Sequence, residues 1–142
     1  MSQSYDMGEQ TLWNPSNGAS RLFLRHVAVY EAELELPSGI GPMQADECQI
    51  DPTAFTAFVD ALLARHRGTS HAVMVALSEG FVATLLVLAE RAGIEVSWRS
   101  ASFATDNERR DVQVPAPTPP DQEAWAAALH RKSHELGRFM AC

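Results

Sequence analysis

Five histidines, two cysteines and 18 carboxylates are the side chains with which this chain could do chemistry near neutral pH. His130 and His134 stand four apart, so on a helix their rings project from one face and could share a metal ion, with Glu135 or Cys142 as a further ligand. The order of residues argues against a zinc protease. There a Glu directly follows the first His and acts as base, whereas Arg131 follows His130 and the Glu follows His134. The pair therefore reads as a solvated helix face, and no residue is assigned to a metal. His66 and His71 flank a turn at Gly68, and His26 falls among apolar residues. Cys48 beside one of these rings would need an activated thiolate within hydrogen-bond reach of its base, and no local signature supplies that pairing. Next to Ile50 it reads as a small core residue. Pro37-Ser38-Gly39-Ile40-Gly41-Pro42 has glycines, but it lacks the Lys or helix start that makes a phosphate loop, so it reads as a connector. No cofactor is implied, and the absence of a complete catalytic signature leans against an enzyme.

The carboxylates are unevenly spread. From His26 to Ala64 the chain carries Glu31, Glu33, Glu35, Asp46, Glu47, Asp51 and Asp60 with no Lys or Arg, while the 11 remaining acids equal the 11 basic residues outside that window. The net charge of −7 thus resides there. Asp51, ahead of Pro52, has a helix to cap. Glu31, Glu33, Glu35, Asp46 and Glu47 are the expected partner-binding residues, an electronegative surface that hastens encounter with a basic protein. Nucleic acid is disfavoured, because phosphates are bound by Lys and Arg. Lys132 is the only lysine, and the preference for Arg together with plentiful Ala follows GC-rich codon usage.

The elements that must position these groups come next. A chain of 142 residues, 46% hydrophobic, buries enough surface to fold without a disulfide or a metal. Cys48 and Cys142 read as reduced. The N-terminus lacks the basic start and apolar core of a secretory signal, and no apolar run reaches the ~20 residues that span a bilayer, so the reading is cytosolic, with no membrane partner. Residues 5–13 suggest a short strand or an ordered arm, and Asn14-Pro15-Ser16-Asn17-Gly18 is turn chemistry. Over 19–36, Leu22, Phe23, His26, Val27, Tyr30 and Leu34 recur at helical spacing, although the end of the segment also alternates as a strand would. A strand is expected at 47–50 and a helix from Asp51-Pro52, with a stripe of Phe55, Phe58, Val59, Leu62 and Leu63. A third helix, Ser70 to Gly93, carries Val73, Leu77, Phe81, Leu85, Leu88 and Ala92 and reads as the central element. Residues 94–98 alternate as a strand able to pair with 47–50. Prolines at 115, 117, 119 and 120 mark residues 114–120 as a spacer, and a last helix aligns Trp125, Leu129, Lys132, Leu136 and Phe139 or Met140. The predicted fold is mainly α with a small β component (α+β), with three to four helices in one domain over 1–113 and a C-terminal helix over 121–142 docked on it.

Trp13-Asn14-Pro15-Ser16-Asn17-Gly18-Ala19-Ser20-Arg21-Leu22-Phe23, with Ser38-Gly39-Ile40-Gly41-Pro42-Met43 and Asp46-Glu47-Cys48-Gln49-Ile50-Asp51, resembles a family of small uncharacterised actinobacterial proteins. The match runs from Gly8 to Trp98 and leaves the tail outside. The resemblance implies no activity, cofactor or catalytic residue. Function is therefore expected from charge and size: a non-enzymatic, acidic module holding a basic protein, as immunity proteins and antitoxins hold toxins, with homodimerisation an open alternative. The rival is a small-molecule-binding protein or cofactor-free enzyme of secondary metabolism, its pocket between helices lined by His26, Tyr30, Cys48 and Trp98.

Overall fold

Gly8 takes a φ of 63°, which lets a two-residue loop reverse the chain between β1 (Ser4–Met7) and β2 (Gln10–Trp13). The computed structural model describes residues 2–69, 71–97 and 122–142. Where a short strand or arm was expected, residues 4–13 form an antiparallel hairpin, with Tyr5 opposite Trp13. β3 (Glu47–Gln49) adds to it in parallel, Cys48 beside Tyr5, giving the strand order β2-β1-β3. Tyr5, Leu12, Trp13 and Cys48 are buried on this sheet.

α1 (Asn17–Leu34) starts at Ser16, whose hydroxyl accepts from the Ala19 N–H, and it stops at Glu35 in the left-handed region, φ 50°. It therefore stays helical where the alternation of Glu31, Glu33 and Glu35 had suggested a strand. Its buried face is also rotated from the expected one: Ser20, Phe23 and Val27 point inward, while Leu22 is 59% exposed and His26 lies on the surface. The cause is the hairpin. The Tyr5 hydroxyl lies 2.7 Å from Ser20 Oγ, so a small polar residue allows close approach. Phe23 meets Tyr5 and Trp13 edge-on, each at 5.3 Å, the arrangement that ring quadrupoles favour.

α2 (Pro52–Gly68) follows its sequence signal: Asp51 caps the Ala54 N–H at 2.8 Å, Pro52 opens the first turn, and Phe55, Phe58, Val59, Leu62 and Leu63 are buried. α3 (Ala72–Arg91) has His71 as its cap, with Nδ1 accepting from Met74 N–H. Among the described residues it is the one helix long and apolar enough to cross a membrane. Its second half, from Phe81 to Ala89, is instead buried almost all round against α2 and α4 (Gln122–Gly137). α4 contributes Trp125 and Leu129 to the core and is followed by buried Met140, while Lys132 pairs with Glu79 at 3.3 Å and Phe139 is 87% exposed, so these two leave the expected stripe. Arg91 fastens this end, donating to the carbonyls of Leu12, Gly137 and Met140. The architecture is α+β: the described residues form four helices and a three-stranded sheet that share one core.

The strand expected over 94–98 does not form at residues 94–97. The free edge of β3 is already taken by the connector, through the Gly41 N–H to Gln49 carbonyl bond and the bridges Ile40 to Ile50 and Gln44 to Glu47. Ile94 and Val96 pack against the core instead, and the Ser97 N–H donates to Asp60. Trp98 and the spacer expected over 114–120 lie outside the described residues.

Candidate functional site

Three helices converge around Tyr30. Its ring lies flat on Phe81, 4.7 Å between centroids and 6° between planes, and its hydroxyl donates to the Leu77 carbonyl at 3.2 Å. One turn earlier on α1, the His26 ring stacks on the same Phe81 at 6.0 Å, with Nδ1 3.0 Å from the Leu22 carbonyl. Tyr30 beside Leu77 and His26 beside Phe81 make α1 and the first half of α3 antiparallel neighbours. Between them and α2 opens a cavity of about 210 Å³, its walls Val29, Tyr30 and Glu33 from α1, Leu62, Arg65 and His66 from α2, then Thr69 and Met74, Leu77 and Ser78 of α3.

The wall of this cavity is chemically specific. His66 is buried, and its Nδ1 lies 2.9 Å from Ser78 Oγ. The Ser78 hydroxyl also reaches the carbonyls of Met74 at 2.8 Å and Val75 at 3.3 Å, and the tautomer of the His66 ring sets which partner of the His66–Ser78 pair donates. Burial holds the His66 pKa below its usual 6.5, with the Glu79 carboxylate opposing. Burial, and secondarily Glu33, raises the pKa of the Tyr30 hydroxyl. A His beside a Ser suggests a nucleophile and its base; Ser78 sits inside a helix, whose amide N–H groups are spent on helical hydrogen bonds rather than offered to an oxyanion. The rim of the cavity bears the Glu33–Arg65 pair at 3.6 Å.

Two of the apolar walls of the cavity are also exposed at the surface, and other exposed apolar side chains stand on the same two helices. Val29 is 55% exposed and Leu77 70%; Val73, one turn before Leu77, is 58% exposed, as is Leu22 two turns before Val29, at 59%. The outer face of α3 is completed by exposed Ala72, Ala76 and Gly80, so the face offers no polar side chain between residues 72 and 77.

Of the residues expected to line a pocket, Tyr30 does so and His26 adjoins it. Cys48 lies in the sheet, away from this cavity: its thiol donates to the Gly41 carbonyl at 2.9 Å, and burial, with Asp6 adding to it, pushes its pKa up to about 11, so it stays protonated. The five expected partner-binding acids do not form one face. Glu33 rims the cavity, Glu31 accepts from the Ser38 N–H, and Glu35 is exposed at the end of α1. Asp46 accepts from Gln3 Nε2 and its carbonyl from Ser4 N–H, which places it and Glu47 beside the hairpin where α1 begins. The two groups thus lie toward opposite ends of α1, a helix of 18 residues and roughly 27 Å. His130 and His134 are both exposed, and among the described residues no three His, Cys, Asp or Glu side chains converge as a metal site. His66, Ser78 and Leu77 were not marked as site residues by sequence reasoning. The available signal was position 66 itself, which continues the buried Leu62 and Leu63 stripe by one turn.

A mainly helical α+β domain with an open cavity is the class these features define. The chain belongs to a family of unknown function, DUF6086, whose model matches residues 1–142, so the tail beyond Trp98 is part of the family's extent. No curated protein and no solved structure matches it.

Proposed function

We propose that this protein is a non-enzymatic, acidic binding module that takes up an apolar segment of a basic protein partner along α1 and α3, with one anchor side chain entering the cavity beside His66 and Ser78. One observation carries the reading: two large apolar side chains on different helices, Val29 of α1 and Leu77 of α3, line the cavity and yet stand more than half exposed. An amphipathic helix laid into a groove between helices meets such a surface with its own apolar stripe. The occupant is taken as basic because the chain carries −7; at the rim itself Glu33 is paired with Arg65. A second copy of the chain would bring like charge to like. This is the use that immunity proteins and antitoxins make of an acidic surface, with the apolar groove rather than the whole acidic window as the recognition element.

The rival occupant is a small molecule, favoured by the position of Tyr30. At about 210 Å³ the cavity is smaller than the roughly 300–1,000 Å³ of most small-molecule sites and suits a single side chain better. The test uses two amphipathic peptides of identical apolar pattern, one with Lys and one with Glu on the polar face. The Lys peptide should bind in titration calorimetry, with affinity falling as salt is added. Equal binding of the Glu peptide, or sedimentation of the protein as a stable dimer that binds neither, would sink the proposal.

A further inference from the structure

A second cleft, of about 460 Å³, opens between α1 and the connector that follows it. Arg21 and Arg25 line it one turn apart, so both guanidinium groups project over the same opening. Neither makes an ion pair or hydrogen bond among the described residues. The first turn of α1 contains no acid. Gln3, which borders the cleft, holds the Asp46 carboxylate through Nε2 at 3.1 Å. Below the arginines the lining is apolar: Leu24 and Ala28 from α1 and Met43 from the connector. A cluster of positive charge over an apolar floor is a distinctive local environment in a chain of net charge −7.

We propose that this cleft is a ligand site for a small amphiphilic anion, whose phosphate or carboxylate head bridges Arg21 and Arg25 while a short hydrocarbon part covers Leu24, Ala28 and Met43. Guanidinium forks match the oxygens of such heads and bind them through paired, charge-assisted hydrogen bonds. The volume falls within the range of small-ligand sites, unlike the cavity beside His66. The two sites share no lining residue: α1 gives Arg21, Leu24, Arg25 and Ala28 to this cleft and Val29, Tyr30 and Glu33 to the cavity beside His66, although Arg25 and Val29 are neighbours one turn apart. Either can therefore fail without the other.

The experiment titrates the full chain with octyl phosphate below its micelle-forming concentration, alongside inorganic phosphate and octylamine. Octyl phosphate should bind more tightly than both, and Arg21→Gln with Arg25→Gln should weaken it by at least about tenfold at an unchanged melting temperature. Arg25→Lys, which keeps the charge and loses the fork, should fall between. A parallel arm uses phosphatidylcholine vesicles with and without phosphatidic acid. Arginine-dependent capture by the acidic vesicles assigns the anionic head to a lipid, and binding of monomeric octyl phosphate alone assigns it to a soluble molecule. Equal affinity for octylamine, or binding undiminished in the double variant, overturns the proposal.

Discussion

His66 is a buried ring hydrogen-bonded to Ser78, and a second proton would place a charge in the wall of the cavity. Its folded pKa lies below the 6.5 of the free side chain because burial penalises the cation. As pH falls through 6.5 the unfolded chain takes up a proton that the folded chain refuses, so the contribution of His66 to stability is full above 6.5 and is lost as pH falls toward the folded pKa. Glu79 limits the effect. The melting temperature should therefore drop between pH 7 and pH 5 more steeply for the natural protein than for His66→Gln, which can keep a bond to Ser78 and has no proton to gain. Parallel profiles would remove His66 from the acid response. At the hairpin, Tyr5→Phe deletes the partner of Ser20 Oγ, and leaving that hydroxyl buried should cost about 1–2 kcal/mol in urea unfolding.

Among the elements, the connector shows why glycine is needed where the sequence had suggested only a break. Gly39 holds φ 75°, and a Cβ there would lie 2.7 Å from the Asp51 carbonyl oxygen and the Phe55 nitrogen. Its own carbonyl accepts from Asp51 N–H, so the loop is clamped to the start of α2. Gly39→Ala should destabilise by roughly 2 kcal/mol or more, against about 1 for an ordinary helix glycine changed the other way. A midpoint unchanged in urea would contradict the clamp. Arg91→Met leaves three carbonyls without their donor and should loosen the last turn of α4 and the end of β2 together, visible as faster amide exchange at both. α2 was legible in full, since cap, proline and stripe all state the same thing locally. The buried face of α1 was not, because the choice between Leu22 and Ser20 is made by Tyr5 and Trp13 in a hairpin that periodicity alone does not predict. The strand at 94–98 failed for a similar reason: its alternation is genuine, but the edge it needed is filled by residues 40–44. Of the site, Tyr30 was legible as an aromatic on an apolar helix face, whereas His66 and Ser78 meet only once α2 and α3 pack.

For the whole molecule, folding turns a contiguous acidic window in the sequence into two separated groups, one of which finds Arg65 from outside the window. In the proposed function, charge acts as a diffuse field that favours a basic partner, and the exposed apolar side chains at the cavity supply the contact. Leu77→Ser should accordingly leave the melting temperature within a degree or two, since the side chain is 70% exposed, while removing most of the affinity for a basic amphipathic segment. Changing Asp46 and Glu47 to Asn and Gln should slow association in low salt without moving the site of binding. Where the partner sits is therefore the decisive quantity. It is read most directly by mapping amide chemical-shift changes across the protein as the Lys-bearing amphipathic peptide is added. The account predicts that the largest shifts fall at Val29, Tyr30, His66 and Leu77 and vanish in Leu77→Ser. Shifts centred on Asp46 and Glu47 with the groove silent would contradict it.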